Sequence, residues 1–364
     1  MRKLAWFTGG FAGACLVGCY APGLLLPALA VLACLTLVAL LLRLVGRKRP
    51  ALPVSLPAIV RRVLALGLGG VVAAGWFLGW SALFRAPAEG SAGQTRTLSG
   101  TVSSYPTETS IGGFSLTVEL EGGLTAPDLL VYGNEEWGGL VPGDSVTFEA
   151  DLESSDFMYG EPTTYYTAQG IFLTASCSGA PILVEHPVRP SPRWWPAHCA
   201  RALRDSLLTA YDETAGPLAV ALVTGDDSFL SDALDTSMSR TGTSHAMVVS
   251  GSHITCLVSI ALSVTRRPRR QAFFLIPFLL FYAFMTGGSP SALRAVLMQG
   301  VLLAAPIARR ETDGPTALSA ALLILLALNP YVAGSVSLQL SFTSVAGILA
   351  AAPVLSDKML RAVK

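Results

Sequence analysis

Apolar residues run in long blocks at both ends of this chain and alternate with polar ones in its middle. The blocks lie at about 4–20, 23–42, 63–84, 244–264, 272–287, 291–308, 315–329 and 335–353. Each is near the roughly 20 residues that a helix needs to cross a bilayer. Between the third and fourth blocks the period changes. Thr97–Ser103, Phe114–Leu120, Leu129–Tyr132, Ser145–Asp151 and Tyr166–Ala175 read as short half-buried strands. Gly112-Gly113, Gly122-Gly123, Gly138-Gly139 and Pro142-Gly143-Asp144 supply turns between them.

Five strands at this spacing suit a small Greek-key barrel such as an OB-fold, with a β-sandwich as the competitor. The expected fold is a mainly α-helical polytopic membrane protein of about eight spans, with an inserted small all-β (OB-like) extracytoplasmic domain. The expected domains are 1–85 (first transmembrane helices), 86–185 (barrel), 186–243 (amphipathic and re-entrant helices) and 244–364 (a second transmembrane domain).

Composition agrees. The chain is 52% hydrophobic and 13% charged, against about 25% charged for a soluble domain. Its net charge of +1 averages two unlike regions. The basic clusters orient the spans. Arg2 and Lys3, Arg43 through Arg62, Arg266 through Arg270, Arg309-Arg310, and Lys358, Arg361 and Lys364 all fall on one side if the eight blocks cross in turn. The N-terminus is then cytoplasmic and residues 85–242 lie outside. Leu16-Val-Gly-Cys19 resembles a lipoprotein cleavage site, but a further span beginning near Leu24 favours a plain first helix. Cys15, Cys19, Cys34 and Cys256 read as small core hydrophobes, and Cys177 and Cys199 as candidates for an external disulfide.

Barrels of this class often bind single-stranded nucleic acid through a basic groove with aromatic platforms. Aromatics are plentiful here, but residues 86–185 carry fourteen carboxylates against a single cation, Arg96. Affinity for a polyanion rests on neutralising its phosphates. A structural or gating role is therefore expected of the barrel, ahead of direct DNA binding. Charge reverses just beyond it. Arg189, Arg193, Arg201 and Arg204 accompany Trp194-Trp195, and Trp195–Tyr211 reads as an amphipathic helix lying at the interface. A compatible alternative is that its arginines funnel an anionic polymer.

The polar positions inside apolar blocks are the candidate site, since polar groups at membrane depth are costly unless they face protein or water. Pro217–Gly225 is apolar but too short to span, and Asp226 and Asp227 follow it, then Phe229–Met238 and Arg240. A re-entrant or interfacial pair fits this pattern. Next comes Thr241–Ile254 (TGTSHAMVVSGSHI), with His245, Ser250, Gly251 and His253. Ser250 lacks the glycines of a nucleophile elbow, because Val248 and Ser252 occupy those positions. Two histidines make a poor metal site. Passage lining is favoured over catalysis, and no catalytic residue, metal or cofactor is assigned. Arg294 stands near the start of the sixth block, with snorkelling to the interface as the alternative to an internal role. Gln339 and Ser341, in Ser337–Thr343, read as helix glue or as pore lining.

At these residues the chain resembles the ComEC family, the inner-membrane channel of bacterial natural transformation. Gly242-Thr-Ser-His245 and Ser250-Gly-Ser-His253 look like its Gly-x-Ser-His and Ser-Gly-x-His signature. Val223–Leu230 is similar to its Gly-Asp segment. Ser291–Ala295, Asn329-Pro330 and Gln339–Phe342 resemble its later motifs, and Tyr165–Ile171 resembles part of its OB-fold. Ser252 departs from the apolar residue common there, and residues 156–163 lack the usual Asn-Pro-Gly-Gly-Phe-Asp-type run. Full members usually continue into further spans and often into a metallo-β-lactamase-like nuclease, whose His-x-His-x-Asp-His cluster does not occur here. The chain thus reads as a truncated or split member without a nuclease.

The resemblance implies import of single-stranded DNA. It implies as partners that strand, membrane lipid, a DNA receptor, a cytoplasmic helicase, and a second chain that completes the pore or supplies a nuclease. A small-solute or ion transporter is the alternative, and an intramembrane hydrolase comes third.

Overall fold

The computed structural model describes residues 3–48, 56–109, 112–121, 128–158, 161–187, 191–243, 251–264, 268–288, 290–305, 307 and 313–363. The chain divides into two compact units. One comprises Met1–Ala82, Thr167–Gln169 and Leu297–Lys364, and the other Leu83–Tyr166 and Gly170–Val296.

The first unit is helical. Helices α1 (Lys3–Tyr20), α2 (Pro22–Lys48) and α3 (Leu56–Trp80) come from the start of the chain. Residues from its end add α10 (Gly314–Leu328) and α11 (Val336–Val363), joined by a tight turn at Pro330–Gly334. Glycines set the closest approach, because a Cβ on Gly10 would overlap the Leu66 carbonyl and one on Gly69 the Phe7 carbonyl. Phe11, Cys15, Ala73, Leu326 and Ala333 form the core beside this contact. The ring of Phe77 packs 4.7 Å from that of Tyr331. Asp313 caps α10 by accepting from the Thr316 amide at 3.2 Å. Asn329 ends the helix, and its side chain accepts from the Tyr331 amide at 2.9 Å.

The second unit holds a closed barrel. Its strands are β1 (Thr95–Val102), β2 (Phe114–Leu120), β3 (Asp128–Gly133), β4 (Ser145–Ser154) and β5 (Ile171–Ser176), with a short β6 (Leu183–Glu185). The order is β1-β2-β3-β5-β4, and β4 closes back onto β1. β3 and β5 run parallel and every other pair is antiparallel. This is the OB topology, and the sandwich alternative is set aside. Gly100 makes closure feasible. It pairs with Leu120 of β2 and Val146 of β4 at once, and a side chain there would strike the Glu119 backbone and Val118. The interior is filled by inward positions of the alternating strands, including Val102, Leu116, Val118, Leu129, Val131 and Phe148. Trp137 is fully buried, stacks edge-on against Phe148 at 5.3 Å and donates its indole N–H to the Gly179 carbonyl at 3.0 Å.

Four of the five expected strands start and stop within three residues of the structure. The fifth differs. Tyr165–Ala168 forms a helical turn, and Gly170 (φ 87°) redirects the chain into β5 at Ile171. Aromatic residues suggested strand there, but the left-handed glycine divides the segment.

The acidic barrel carries one carboxylate pair with a measurable consequence. Glu119 and Asp128 lie directly opposite on β2 and β3. Burial, then the Glu119 charge, push the Asp128 carboxyl up to about 6, with Arg193 opposing. A folded-state value above the unfolded one means the folded form holds the proton more tightly. Stability from this group is therefore greatest below about pH 4 and is lost as pH rises through 6. Asp128→Asn should stabilise the barrel by about 1–2 kcal/mol at pH 7 and flatten its dependence between pH 4 and 6. Hydrogen exchange in β2 and β3 across that range checks this, and equal protection of both proteins at pH 7 would refute it.

After the barrel in sequence, α4 (Trp195–Ala210) is followed by α5 (Ala215–Thr224), α6 (Asp232–Thr241), α7 (Gly251–Val264), α8 (Pro268–Met285) and α9 (Pro290–Ala304). Helices occupy all eight apolar blocks. Among the described residues only Pro22–Leu41 and Ile59–Glu89 are both long and apolar enough to cross a membrane. α7, α9 and α10 have 14, 15 and 15 residues, or about 21–23 Å of helix at 1.5 Å per residue.

Candidate functional site

Local sequence builds the site from short helices with defined stops. α5 ends because Gly225 takes φ 79° and donates its N–H to the Ala221 carbonyl at 2.9 Å. Asp226 then forms a turn, its Oδ1 accepting from the Ser228 amide (3.2 Å) and hydroxyl (2.5 Å). Ser231 caps α6, which Gly242 ends at φ 70°. Two ten-residue helices joined by a turn match the expected short pair, and at about 15 Å each neither can span. The last carbonyls of a helix lack intrahelical partners. Tyr282 on α8 satisfies one of them, donating its hydroxyl to the Val223 carbonyl at 3.1 Å. Nothing in the sequence pattern singled out Tyr282.

Arg294 is the centre of this arrangement. It lies one turn into α9, buried like its neighbours Ala292, Ala295 and Val296, and is itself only 8% exposed. Across from it is Gly251, the first residue of α7. A Cβ on Gly251 would sit 3.1 Å from Arg294 Nη2 and 3.7 Å from Ala295 Cβ. The guanidinium therefore lies against the bare backbone of Gly251. A buried guanidinium is a group whose chemistry matches an anion. His253 follows two residues on and is half-buried.

The remaining candidates separate. Asp226 is half-buried and committed to its turn, Asp227 is exposed, and Arg240 is exposed in the last turn of α6. His245 and Ser250 lie outside the described residues. Of the two histidines, only His253 falls within the described part of α7. Gln339 belongs to the first unit. Its amide donates to the Tyr20 hydroxyl at 2.9 Å and to the Ala333 carbonyl at 2.8 Å, while Tyr20 donates to the Gly334 carbonyl at 3.2 Å. One N–H donor of Gln339 joins α11 to α1 and the other holds the turn before α11, which favours the helix-glue reading. Ser341 is half-buried beside it.

Of the arginines beyond the barrel, Arg189 lies outside the described residues, and the other three are engaged with the protein. Arg193 pairs with Glu119 and lies 5.0 Å from the Trp194 ring. Arg201 lies 4.7 Å over Tyr105, and Arg204 pairs with Asp205 and lies 5.3 Å over Phe229. Tyr105 also bonds His198 Nδ1 at 2.7 Å, and burial raises its phenol above the usual range. These contacts fasten α4 to the barrel. The expected Cys177–Cys199 disulfide is absent, and both are free thiols. Cys177 is buried at the end of β5, where burial and Asp151 push its thiol up to about 12, whereas Cys199 is exposed on α4.

The segment that contributes α5 through α11 also matches known proteins. The competence-protein family matches residues 222–364. Over that segment the chain is similar to ComEC-type competence proteins. It is 34% identical over 128 residues to ComE operon protein 3 of Bacillus subtilis (strain 168). That alignment covers 34% of this chain and 16% of the relative, so the chain spans a small part of the relative's length. No solved structure matches. Arg294, Gly251 and the Gly225–Ser231 turn all lie within the competence segment.

Proposed function

We propose that this chain lines part of the passage by which single-stranded DNA crosses the bacterial inner membrane during transformation. The observation that carries this reading is the buried Arg294 set against the bare Gly251 backbone, inside a competence domain. A strand of DNA must keep its phosphates charge-balanced while out of water. A guanidinium supplies that balance in a geometry matched to phosphate oxygens. Exposed apolar rows support placement in lipid, including Leu24, Leu35 and Leu41 on α2 and Phe273, Phe274 and Phe284 on α8.

In this reading the eight helices each cross the membrane, with the N-terminus cytoplasmic and the barrel outside. The barrel organises the entrance through shape, and its acidic surface keeps it from competing for the strand. The chain performs no bond-breaking step. A receptor delivers the strand, a cytoplasmic helicase draws it in, and a second chain completes the pore or supplies a nuclease. Labelled duplex DNA offered to competent cells tests the function. Cells lacking the gene should still bind DNA at their surface and bring no nuclease-protected label inside. Normal internalisation without the gene would overturn the assignment.

A further inference from the structure

A cleft of about 270 Å³ lies between α1, α2 and α3. Its walls include Gly9 and Gly13 of α1, Leu25 and Leu29 of α2, and Leu66 and Gly70 of α3, and every lining side chain is Gly, Ala, Val or Leu. No side-chain donor or acceptor enters it, so a polar occupant would lose its hydrogen bonds there. Gly9 and Gly13 stand one turn apart, and a Cβ on either meets nothing within 4 Å. Unlike Gly10, they are not required by helix contact. They leave space at a cost of about 1 kcal/mol each in helix propensity.

One end of the cleft is cationic. Trp6 and Arg62 precede Gly9 and Leu66 by about one turn on their helices, and the Arg62 guanidinium lies 5.6 Å from the Trp6 ring centroid. Lys3, one turn further, is exposed. An arginine and a tryptophan closing an apolar groove suit the phosphate and glycerol level of a lipid whose tail lies inward. We propose that this cleft holds one acyl chain of an anionic phospholipid, with its phosphate against Arg62. The inference needs α1–α3 to be embedded in a membrane and does not depend on the DNA reading.

The test uses the full chain in bilayers of equal phosphatidylglycerol and phosphatidylcholine, followed by extraction into mild detergent and native mass spectrometry. One lipid per chain should be retained, with phosphatidylglycerol favoured about fivefold, the effect expected of one basic side chain at the surface. Gly13→Leu, which fills open space, should cut retention at least about tenfold at unchanged protein yield, given the number of methylenes displaced. Should that variant not accumulate, Gly9→Leu makes the same test one turn away. Arg62→Gln should keep a lipid but retain the two headgroups equally. Loss of all lipid from the wild type, equal retention of both lipids by it, or full retention by the filled variants would overturn the proposal. So would a Gly13→Cys protein that cross-links to a second copy through this face.

Discussion

Arg294→Ala should reduce internalisation of labelled DNA at least about 30-fold while the protein remains in the membrane fraction at its normal level. The figure follows from removing a buried charge whose contacts are worth about 2 kcal/mol or more. Arg294 is 8% exposed and sits against Gly251, so nothing else in the described site replaces it. Arg294→Lys keeps the charge but loses the planar fork, and should retain part of the uptake. Gly251→Val approaches the same place from the opposite helix. Its side chain enters the space within 3.1 Å of Nη2, displacing the guanidinium without removing it, and uptake should fall with Arg294 present. Surface binding of DNA should be unaffected in all three. Wild-type internalisation in Arg294→Ala and Gly251→Val would remove these residues from the path.

Gly10→Ala should cost the helical unit about 3 kcal/mol, at the upper end of overpacking penalties. The reason is that the added methyl meets backbone, the Leu66 carbonyl, which cannot rotate away. α1 and α3 must separate, and the Phe11, Cys15 and Ala73 contacts separate with them. Gly9→Ala is the control. A methyl there meets nothing within 4 Å, so the gain in helix propensity stands alone at up to about 1 kcal/mol. Adjacent glycines in one helix should therefore give opposite signs. Thermal unfolding of the purified proteins in one detergent measures both, and equal midpoints for the two variants would refute the packing account.

Much of the fold was legible because it rests on periodicity. The run Phe114–Leu120 alternates as a strand with one face buried, and the structure starts and stops it at the same residues. The turn glycines were legible for the same local reason. Gly112, Gly113 and Gly143 take positive φ where turns had been read. Arg294 was legible as a costly residue in an apolar block. Its neighbour was not, since Gly251 lies on a different helix and a glycine leaves no chemical signature. Gln339 shows a similar limit. Its side chain can line a passage or join helices, and only the positions of Tyr20 and Ala333 decide between these. The arginines after the barrel misled because a charge count does not register partners. Arg193 looked free until Glu119 was brought to it by the fold.

The hydroxyl of Thr8 in α1 donates to the Ser319 carbonyl in α10, 311 residues later. At about 5–20 residues per second, a ribosome needs roughly 15–60 s to make the chain between them. α1 is made first and meets α10 only after 311 further residues have been joined. In that interval its buried face must be occupied by α2 and α3 alone, and the glycine contact that locks α1 to α3 is what makes the wait tolerable. The order of translation and the order of assembly are therefore opposite at the two ends of this unit.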